Sequence, residues 1–466
     1  MLGGPLMEVR ANPSGSSGAV PRRTATVDVG TLLDSGNWTP YQKWLTLLAA
    51  LAVIFDGVDI QILGFAIPSI IREWHVARGD FALVLAVGLA GMAVGSPFAG
   101  YSGDRFGRRP ALMGCVLLFA CATIGSAFCH SLASLAVLRF FTGMGAGGAL
   151  PNASSLSAEL APLRWRPVAV TITIVGVPLG GMLGGIAAAW ILPAYGWRAM
   201  YLLGGAAPLA LLLLLFFALP ESPRYMARHA ERWKKLAGLL KRMGHSVPAA
   251  AAFDDVKGRV PSGKIELRSM LTPDLRRDTA GLWIAFFANL NGAYLVFGWL
   301  PAMLTSHGLG LSAASSGLAA YNFGGVIGAL TYAVLISASG SRLAMTGGAA
   351  AGALSALALI LVPISPPNGS LLLTLGFALH GFFANAVQTS MFALSAHVYP
   401  SEVRASGIAT AAAVGRAGAI LSSFTGAAII QGGSGAFLGT LAASMAVTAC
   451  GLAIVRHAIP GRARQV

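Results

Sequence analysis

Long apolar runs punctuated by short polar stretches recur along almost the whole chain. Twelve stand out, at about 44–71, 80–101, 110–129, 133–155, 168–192, 198–219, 279–303, 314–338, 343–363, 369–398, 405–431 and 435–457. An apolar run of roughly 18 residues or more crosses the hydrocarbon core of a bilayer as one helix. The runs fall as six, then a long polar stretch, then six. The pattern predicts an all-α membrane protein with twelve transmembrane helices in two six-helix repeats. It divides the chain into a disordered or interfacial N-terminus (1–40), a first bundle (41–219), a linker loop (220–278), a second bundle (279–457) and a tail (458–466). Within the N-terminus, "VDVGTLLDSGNW" reads as a short interfacial helix.

Composition agrees with this pattern. Of the 466 residues, 55% are hydrophobic and only 11% charged, against about 25% charged in soluble domains. The net charge of +15 then needs a location. A nucleic-acid binder gathers its basic residues on one soluble face. Here they fall in alternate loops: Arg105, Arg108 and Arg109 in one, Arg164 and Arg166 in the next on that side, many in 220–278, and Arg456, Arg462 and Arg464 in the tail. The opposite loops carry few, with Arg72, Arg78 and Arg198 as minor exceptions. This bias predicts that both termini and the linker face the cytoplasm, and the expected location is the bacterial inner membrane. The N-terminal residues lack the apolar core of a signal peptide. The four cysteines have no metal-ligand spacing and read as small apolar fillers.

The chain looks duplicated. "ELAPLRWRPV" lines up with "HVYPSEVRAS", placing Pro162 over Pro400 and Arg166 over Arg404 at a separation of 238. "SGDRF" (102–106) lines up with "SGSRL" (339–343) at 237, which puts Ser341 where the first copy has Asp104. Paired repeats around a midplane site are a common construction of secondary transporters.

Against this apolar background a few polar residues matter. The first run contains "VIFDGVDIQILG", with Asp56 and Asp59 about 60° apart on one helix face. At 1.5 Å per residue they lie roughly 18 and 22 Å into the membrane. The fourth run enters from the opposite side, so Arg139 reaches roughly 20 Å, level with Asp59. A buried pair costs less than two lone charges, so the two are expected to meet; the plainer alternative is an arginine snorkelling to the interface. In the second half, Arg416 on the eleventh run is roughly 16 Å deep. Gln388 on the tenth run, and Asn289, Asn291 and Tyr294 on the seventh, reach a similar level. A lone amide there is often only an interhelical hydrogen bond. Arg416 cannot shed its charge, so either Asp56 or a visiting anion must accompany it.

"GYSGDRFGRRP" (100–110) joins the second and third runs. Its G-x-x-x-D-R-x-G-R-R pattern resembles the signature loop of the major facilitator superfamily. The resemblance implies the twelve-helix major facilitator fold and a loop acid, here Asp104, that helps hold one conformation of a transport cycle. "DGVDIQILGFAIPSI", "FTGMGAGGALPN", "GWLPAMLTSHGLGLSAASSG" and "YPSEVRASGIATAAAVGRAGAI" narrow it. They are similar to the aromatic acid–proton symporter family, which includes bacterial 4-hydroxybenzoate and benzoate carriers, over residues 28–456. That family's first-helix acid pair falls on Asp56 and Asp59, its loop acid on Asp104, its fourth-helix arginine and following glutamate on Arg139 and Glu159. Its late arginines fall on Arg404 and Arg416, and its tenth-helix glutamine on Gln388. The chain departs from it at Phe392, where those carriers have asparagine, and in "SASGSRLAM", which lacks their histidine.

The expected function is therefore a proton-coupled symporter importing a small organic anion, foremost a benzoate or hydroxybenzoate. A sugar or other organic-metabolite porter of the same superfamily is the alternative. Desolvation favours a neutral carboxyl and a nearby cation favours the anion; that balance suits Asp56, Asp59 and Arg139 as proton-coupling residues. Arg416, Gln388, Asn291 and Tyr294 are expected to hold the substrate, with Phe297 beside its ring. Asp104, Arg105, Arg108, Arg109, Glu159 and Arg404 are expected to govern the conformational switch. No motif pairs a nucleophile with a base or gathers metal ligands, so no enzyme activity and no cofactor beyond protons as coupling ion are expected. A receptor built on a carrier fold is a further alternative, separable by absence of flux. The expected partners are the small anion and the lipid bilayer, without nucleic acid, and the functional unit is expected to be a monomer.

Overall fold

The computed structural model describes residues 26–248, 251–255, 270–364, 371–400 and 403–461. The expectations for 1–25, for part of the linker and for the last residues of the tail lie outside them. Among the described residues eleven helices are long and apolar enough to cross a membrane. One of these, Arg166–Ala218, has 53 residues, about 80 Å of helix at 1.5 Å per residue, more than twice a hydrocarbon core. It breaks at Gly196, whose φ of 74° and ψ of 178° belong to a region open essentially to glycine alone. Its two ends return to one level. Arg166 reaches Asp34 at 2.6 Å, and Asp34 also lies 3.6 Å from Arg224, just beyond the other end. It therefore counts as two spans, 166–195 and 197–218, and the total is twelve.

In chain order the spans are Pro40–Trp74, Phe81–Phe106, Arg108–Ser126 and Leu132–Leu160, then the two halves of Arg166–Ala218, then Arg276–Ser306, Leu311–Ser339, Ser341–Ile360, Leu371–Val398, Arg404–Gln431 and Gly433–Ile454. The expected boundaries differ from these by a few residues. The first span starts sharply because Thr39 and Gln42 cap each other's backbone N–H groups, at 3.3 and 2.9 Å, with Pro40 at the first helical position. At the opposite end of the first span, Glu73 accepts from Trp197 Nε1 at 2.7 Å and from Arg198 at 2.5 Å. That contact ties the first span to the turn at Gly196. The membrane end that carries Arg108 and Arg166 is called the near end below, and the end with Gly196 the far end.

The expected interfacial helix is present as Val29–Asp34, capped by Asp28. A short parallel pairing of Thr26–Asp28 with Ala252–Asp254 was not legible in the sequence. The linker is not a plain loop. Its helices Pro223–Ala227 and Trp233–Arg242 bury Met226, Leu236 and Leu240 against the near end of the first six spans.

The duplication is real, but one of its expected registers is wrong. Helices approach closely where a glycine meets a backbone carbonyl, and these meetings repeat. Gly91 packs on Phe140 and Gly324 on Ala378; Gly95 packs on Met144 and Gly328 on Phe382; Gly143 packs on Gly88 and Gly381 on Tyr321. In the fifth and eleventh spans, Gly180 packs on Ile54 and Gly418 on Phe287. The fourth and fifth spans thus map onto the tenth and eleventh at 238, as expected. The first and second map onto the seventh and eighth at 233, as from Gly91 to Gly324. The pairing of "SGDRF" with "SGSRL" at 237 is four residues out. Gly107 corresponds to Gly340: each follows a span, has φ of 110° or 87°, and donates to the carbonyl of Gly103 or Ile336. Asp104 therefore corresponds to Ser337, and Ser341 to Arg108. Ser341 instead holds the tail, exchanging hydrogen bonds of 2.8 and 2.9 Å with Ile459.

Two hydrophobic cores divide the molecule unevenly. One holds the near-end part of the first six spans together with the linker helices, including Val53, Phe119, Ala149 and Leu215. The other joins the far-end part of those spans, such as Ile62, Phe65 and Leu135, to the whole second set. The two sets of six are thus welded at the far end, and at the near end the first set keeps a core of its own.

Candidate functional site

The acid pair sits where these cores part. Val53 belongs to the near-end core and Ile62 to the far-end one; Asp56 and Asp59 lie between them, each 1% exposed. Arg139 is also buried, and its Nη1 stands 3.5 Å from Asp59 Oδ2 and donates to the Asp59 carbonyl at 3.3 Å. The expected pairing across the first and fourth spans is therefore present. Thr123 of the third span donates its hydroxyl to Asp59 Oδ1. The set is incompletely satisfied. Asp56 Oδ1, Asp59 Oδ2, Arg139 Nε and the Tyr201 hydroxyl lack hydrogen-bond partners among the described residues. An unpaired buried polar atom costs about 1–3 kcal/mol, more if charged, so four in one place mark a site kept for something other than stability.

The second half supplies Arg416, half-buried on the eleventh span. Among the described residues no carboxylate lies within ion-pair distance of it, so Asp56 is not its resident partner. Tyr294 lies near both Arg416 and Asp56. Its ring contacts Phe297 edge-on at 5.5 Å. Gln388 has a buried Oε1 with no partner among the described residues. Asn291 is engaged: it donates to the Gly418 carbonyl at 3.0 Å and accepts from Ser444 at 3.4 Å. Asn289 leans on the Ala384 carbonyl at 3.4 Å. Beside Asp59, Arg139, Tyr294 and Phe297 a cavity of about 30 Å³ remains. That holds a water, whereas a benzene ring has been accommodated in about 150 Å³, so the space beside Asp59 is closed to an aromatic ring in this conformation.

Sequence reasoning missed the clasp that helps close it. Gln61, two residues beyond Asp59, donates to Asn322 Oδ1 at 3.1 Å, and Asn322 donates back to Gln61 Oε1 at 2.7 Å. Both are fully buried. Each amide satisfies the other across the two sets of six. Beside the clasp, Gly181 and Gly185 bring the fifth span onto Asn322 and Ala319 of the eighth, and Gly64 brings the first onto Phe297. A glutamine two residues after an acid was visible in the sequence; its partner 261 residues away was not.

The expected switch residues gather at the near end. Asp104 binds Arg108, the first residue of the third span, and its side chain is 71% exposed. Arg108 also lies 3.7 Å from Glu159, which accepts from Ser222 of the linker. Arg105 donates to Tyr101 at 2.7 Å, and its carbonyl accepts from Tyr225 at 3.2 Å. The Arg109 backbone N–H donates to Glu221 at 3.2 Å; Glu221, just past the sixth span, was not singled out from sequence. The cluster thus ties the second, third and fourth spans to the linker. Arg404 lies apart from it and donates to the Tyr399 carbonyl at 3.2 Å, much as Arg166 donates to Ala158 at 2.9 Å.

Comparison with known proteins fits this geometry. The profile described as Major Facilitator Superfamily matches residues 49–365. The gallate transporter of Pseudomonas putida is 34% identical over 94% of this chain and 98% of its own length. The 4-hydroxybenzoate transporter PcaK of Acinetobacter baylyi is 33% identical over 91% and 92%. The 3-(3-hydroxy-phenyl)propionate transporter of Escherichia coli is 31% identical over 87% and 92%. Among solved structures, the inward open xylose transporter XylE of E. coli superimposes with a TM-score of 0.71 at 18% identity, covering 88% of this chain and 95% of XylE. At that identity the likeness speaks for the fold alone.

Proposed function

The chain belongs to the major facilitator superfamily, and from that premise we propose that it is a proton-coupled symporter of small aromatic carboxylates. The observation that carries the proposal is a charge arrangement split between the halves. One half buries two acids against one arginine; the other presents Arg416 without a carboxylate partner among the described residues. A substrate carboxylate completes the second half, because arginine offers a bidentate, charge-assisted partner. Tyr294 and Phe297 offer ring faces and edges to an aromatic body, and Gln388 a free amide oxygen for a ring hydroxyl. The named relatives carry gallate, 4-hydroxybenzoate and a hydroxyphenylpropionate, all hydroxylated aromatic acids, which favours this substrate class over sugars.

Asp59 and Asp56 are the proton carriers in this reading. Asp59 is ionised while Arg139 stays beside it, and Asp56 exchanges its proton as the near-end core separates from or closes on the second half. The far-end weld, with the Gln61–Asn322 clasp in it, is the joint that opens when the near end shuts, and the Asp104–Arg108–Glu159 cluster steadies one of the two states. The near end, rich in Lys and Arg, faces the cytoplasm of a bacterial inner membrane, and one chain suffices for transport. Asn291 contributes by fixing the seventh span to the eleventh near Arg416.

The test is uptake by proteoliposomes of labelled 4-hydroxybenzoate, benzoate, gallate and xylose with an imposed pH gradient. Accumulation of an aromatic acid against its gradient, collapsed by a protonophore, is expected. Accumulation of xylose with no response to any aromatic acid would contradict the substrate class. Facilitated flux without accumulation would contradict the coupling.

A further inference from the structure

Beside the start of the third span, two cavities share a wall. We propose that together they bind one anionic phospholipid of the near-end leaflet, its acyl chain in the first and its phosphate in the second. The first is a groove of about 620 Å³ between the second and third spans, with Phe98, Ala99, Leu117 and Leu118 in its walls and Met144 of the fourth span in its floor. From Phe106 to Gly95 it runs about 16 Å along the second span. Gly114 looks into it, with nothing within 4 Å of where its Cβ would stand. Phe106 and Pro110 close the groove at the near end and also line the second cavity, of about 520 Å³, with Arg109, Arg232, Lys235 and Glu221.

The second cavity is built for an anion. Glu221 is engaged, its Oε1 accepting from the Arg109 and Ser222 backbone N–H groups at 3.2 and 2.8 Å. Arg109 gives one nitrogen to the Phe216 carbonyl at 2.5 Å, and its Nε has no partner among the described residues. Arg232 stands over the Tyr225 ring at 5.1 Å. Among the described residues no acid lies within ion-pair distance of Arg109, Arg232 or Lys235. Three cations against one acid leave the wall at +2. A basic pocket at the membrane surface, continuous with an apolar groove along the hydrocarbon, has the shape and charge of an anionic lipid, and such pockets between transmembrane helices take acidic headgroups. A soluble anion would use the pocket and leave the groove unused.

The experiment is a thermal-unfolding and native mass spectrometry titration of the full chain in detergent. The probes are phosphatidylglycerol, phosphatidylcholine with the same acyl chains, and glycerol 1-phosphate. Phosphatidylglycerol is expected to raise the unfolding midpoint saturably and to remain bound at one copy, while the other two do neither. Arg232→Gln with Lys235→Gln should weaken that binding by about thirtyfold, whereas Lys234→Gln, on the same helix but outside the cavity, should not. Gly114→Phe projects a ring into the groove from a position whose Cβ meets nothing within 4 Å and should weaken lipid binding with the cations intact. An equal response to glycerol 1-phosphate would make this a soluble-anion site and overturn the proposal. So would an equal response to phosphatidylcholine, or undiminished binding in both variants.

Discussion

The two sets of six spans share a scaffold and differ in charge. In the structural register, Asp56 in the first half corresponds to Asn289 in the second, Gln61 to Tyr294, Arg139 to Phe377, and Arg416 to Pro178 of the first half. Four glycine-on-carbonyl contacts repeat between the halves in this register. The ionisable residues at mid-depth do not repeat at all. Close helix approach asks only that a side chain be missing, a requirement both copies can meet alike. A buried charge asks for a specific partner and costs several kcal/mol without one, so it persists only where it has work. The acids and their arginine are confined to one half and a lone cation to the other. That contrast separates proton handling from anion handling more clearly than the fold does.

The strongest way to break the contrast is to make the halves alike. Asp56→Asn gives the first half the amide that the second carries at Asn289. It should abolish accumulation driven by a pH gradient while leaving substrate exchange measurable; Asp59→Asn should also lose accumulation. Uptake against a gradient in either variant would remove that acid from the coupling. Next in size is the lone cation. Arg416→Ala should weaken binding of an aromatic acid by about 2–5 kcal/mol, the scale for truncating one partner of a buried charge pair, and Arg416→Lys by less. Equilibrium binding of labelled 4-hydroxybenzoate decides this, and an unchanged affinity would make Arg416 structural.

The joint between the halves gives a smaller, sharper effect. Gln61→Leu strands the Asn322 amide and should cost about 1–3 kcal/mol of stability, read as a lower unfolding midpoint. Adding Asn322→Leu should recover most of it, because both partners are then apolar. A cysteine at Ala319, beside the clasp, should become more reactive to a far-end thiol reagent in the single variant. If the double variant is the sum of the singles, the amides do not act as a pair. The repeat register has its own test. Gly107→Ala and Gly340→Ala should each cost about 1–3 kcal/mol, as side chains forced into a glycine conformation do. Gly107 should lie at the upper end, since its new Cβ would meet the Glu221 carboxylate. Smallest is the exposed switch pair. Asp104→Asn should change stability by no more than about 1 kcal/mol and leave substrate affinity alone, but slow turnover. Loss of affinity with normal turnover would place Asp104 outside the switch.

Much of this was legible along the chain. Hydropathy gave the twelve spans because each is a local property of about twenty consecutive residues. The constant helical rise placed Arg139 level with Asp59, and the 3.5 Å contact agrees. Depth fails where rotation decides. Helical rise puts Asn291 and Gln388 at one level, yet among the described residues one amide is bound to Gly418 and Ser444 and the other keeps a free oxygen. Repeat alignment by short strings fails for a related reason: "SGDRF" and "SGSRL" share letters, but the glycine cap that fixes the register is Gly107 in one copy and Gly340 in the other.

The sequence by itself determined a twelve-span membrane protein with an acid pair in its first span, an arginine at the same depth in the fourth and a second arginine at mid-depth in the second half. Spacing, polarity and helical rise act within one segment, and these features need nothing more. Only the tertiary structure decided that Gln61 clasps Asn322, that the cores part at Asp56 and Asp59, and that Arg416 has Tyr294 rather than a carboxylate beside it. Those depend on which faces of distant helices meet, and facing is set by the summed packing of all twelve spans, a quantity that no single stretch of chain contains.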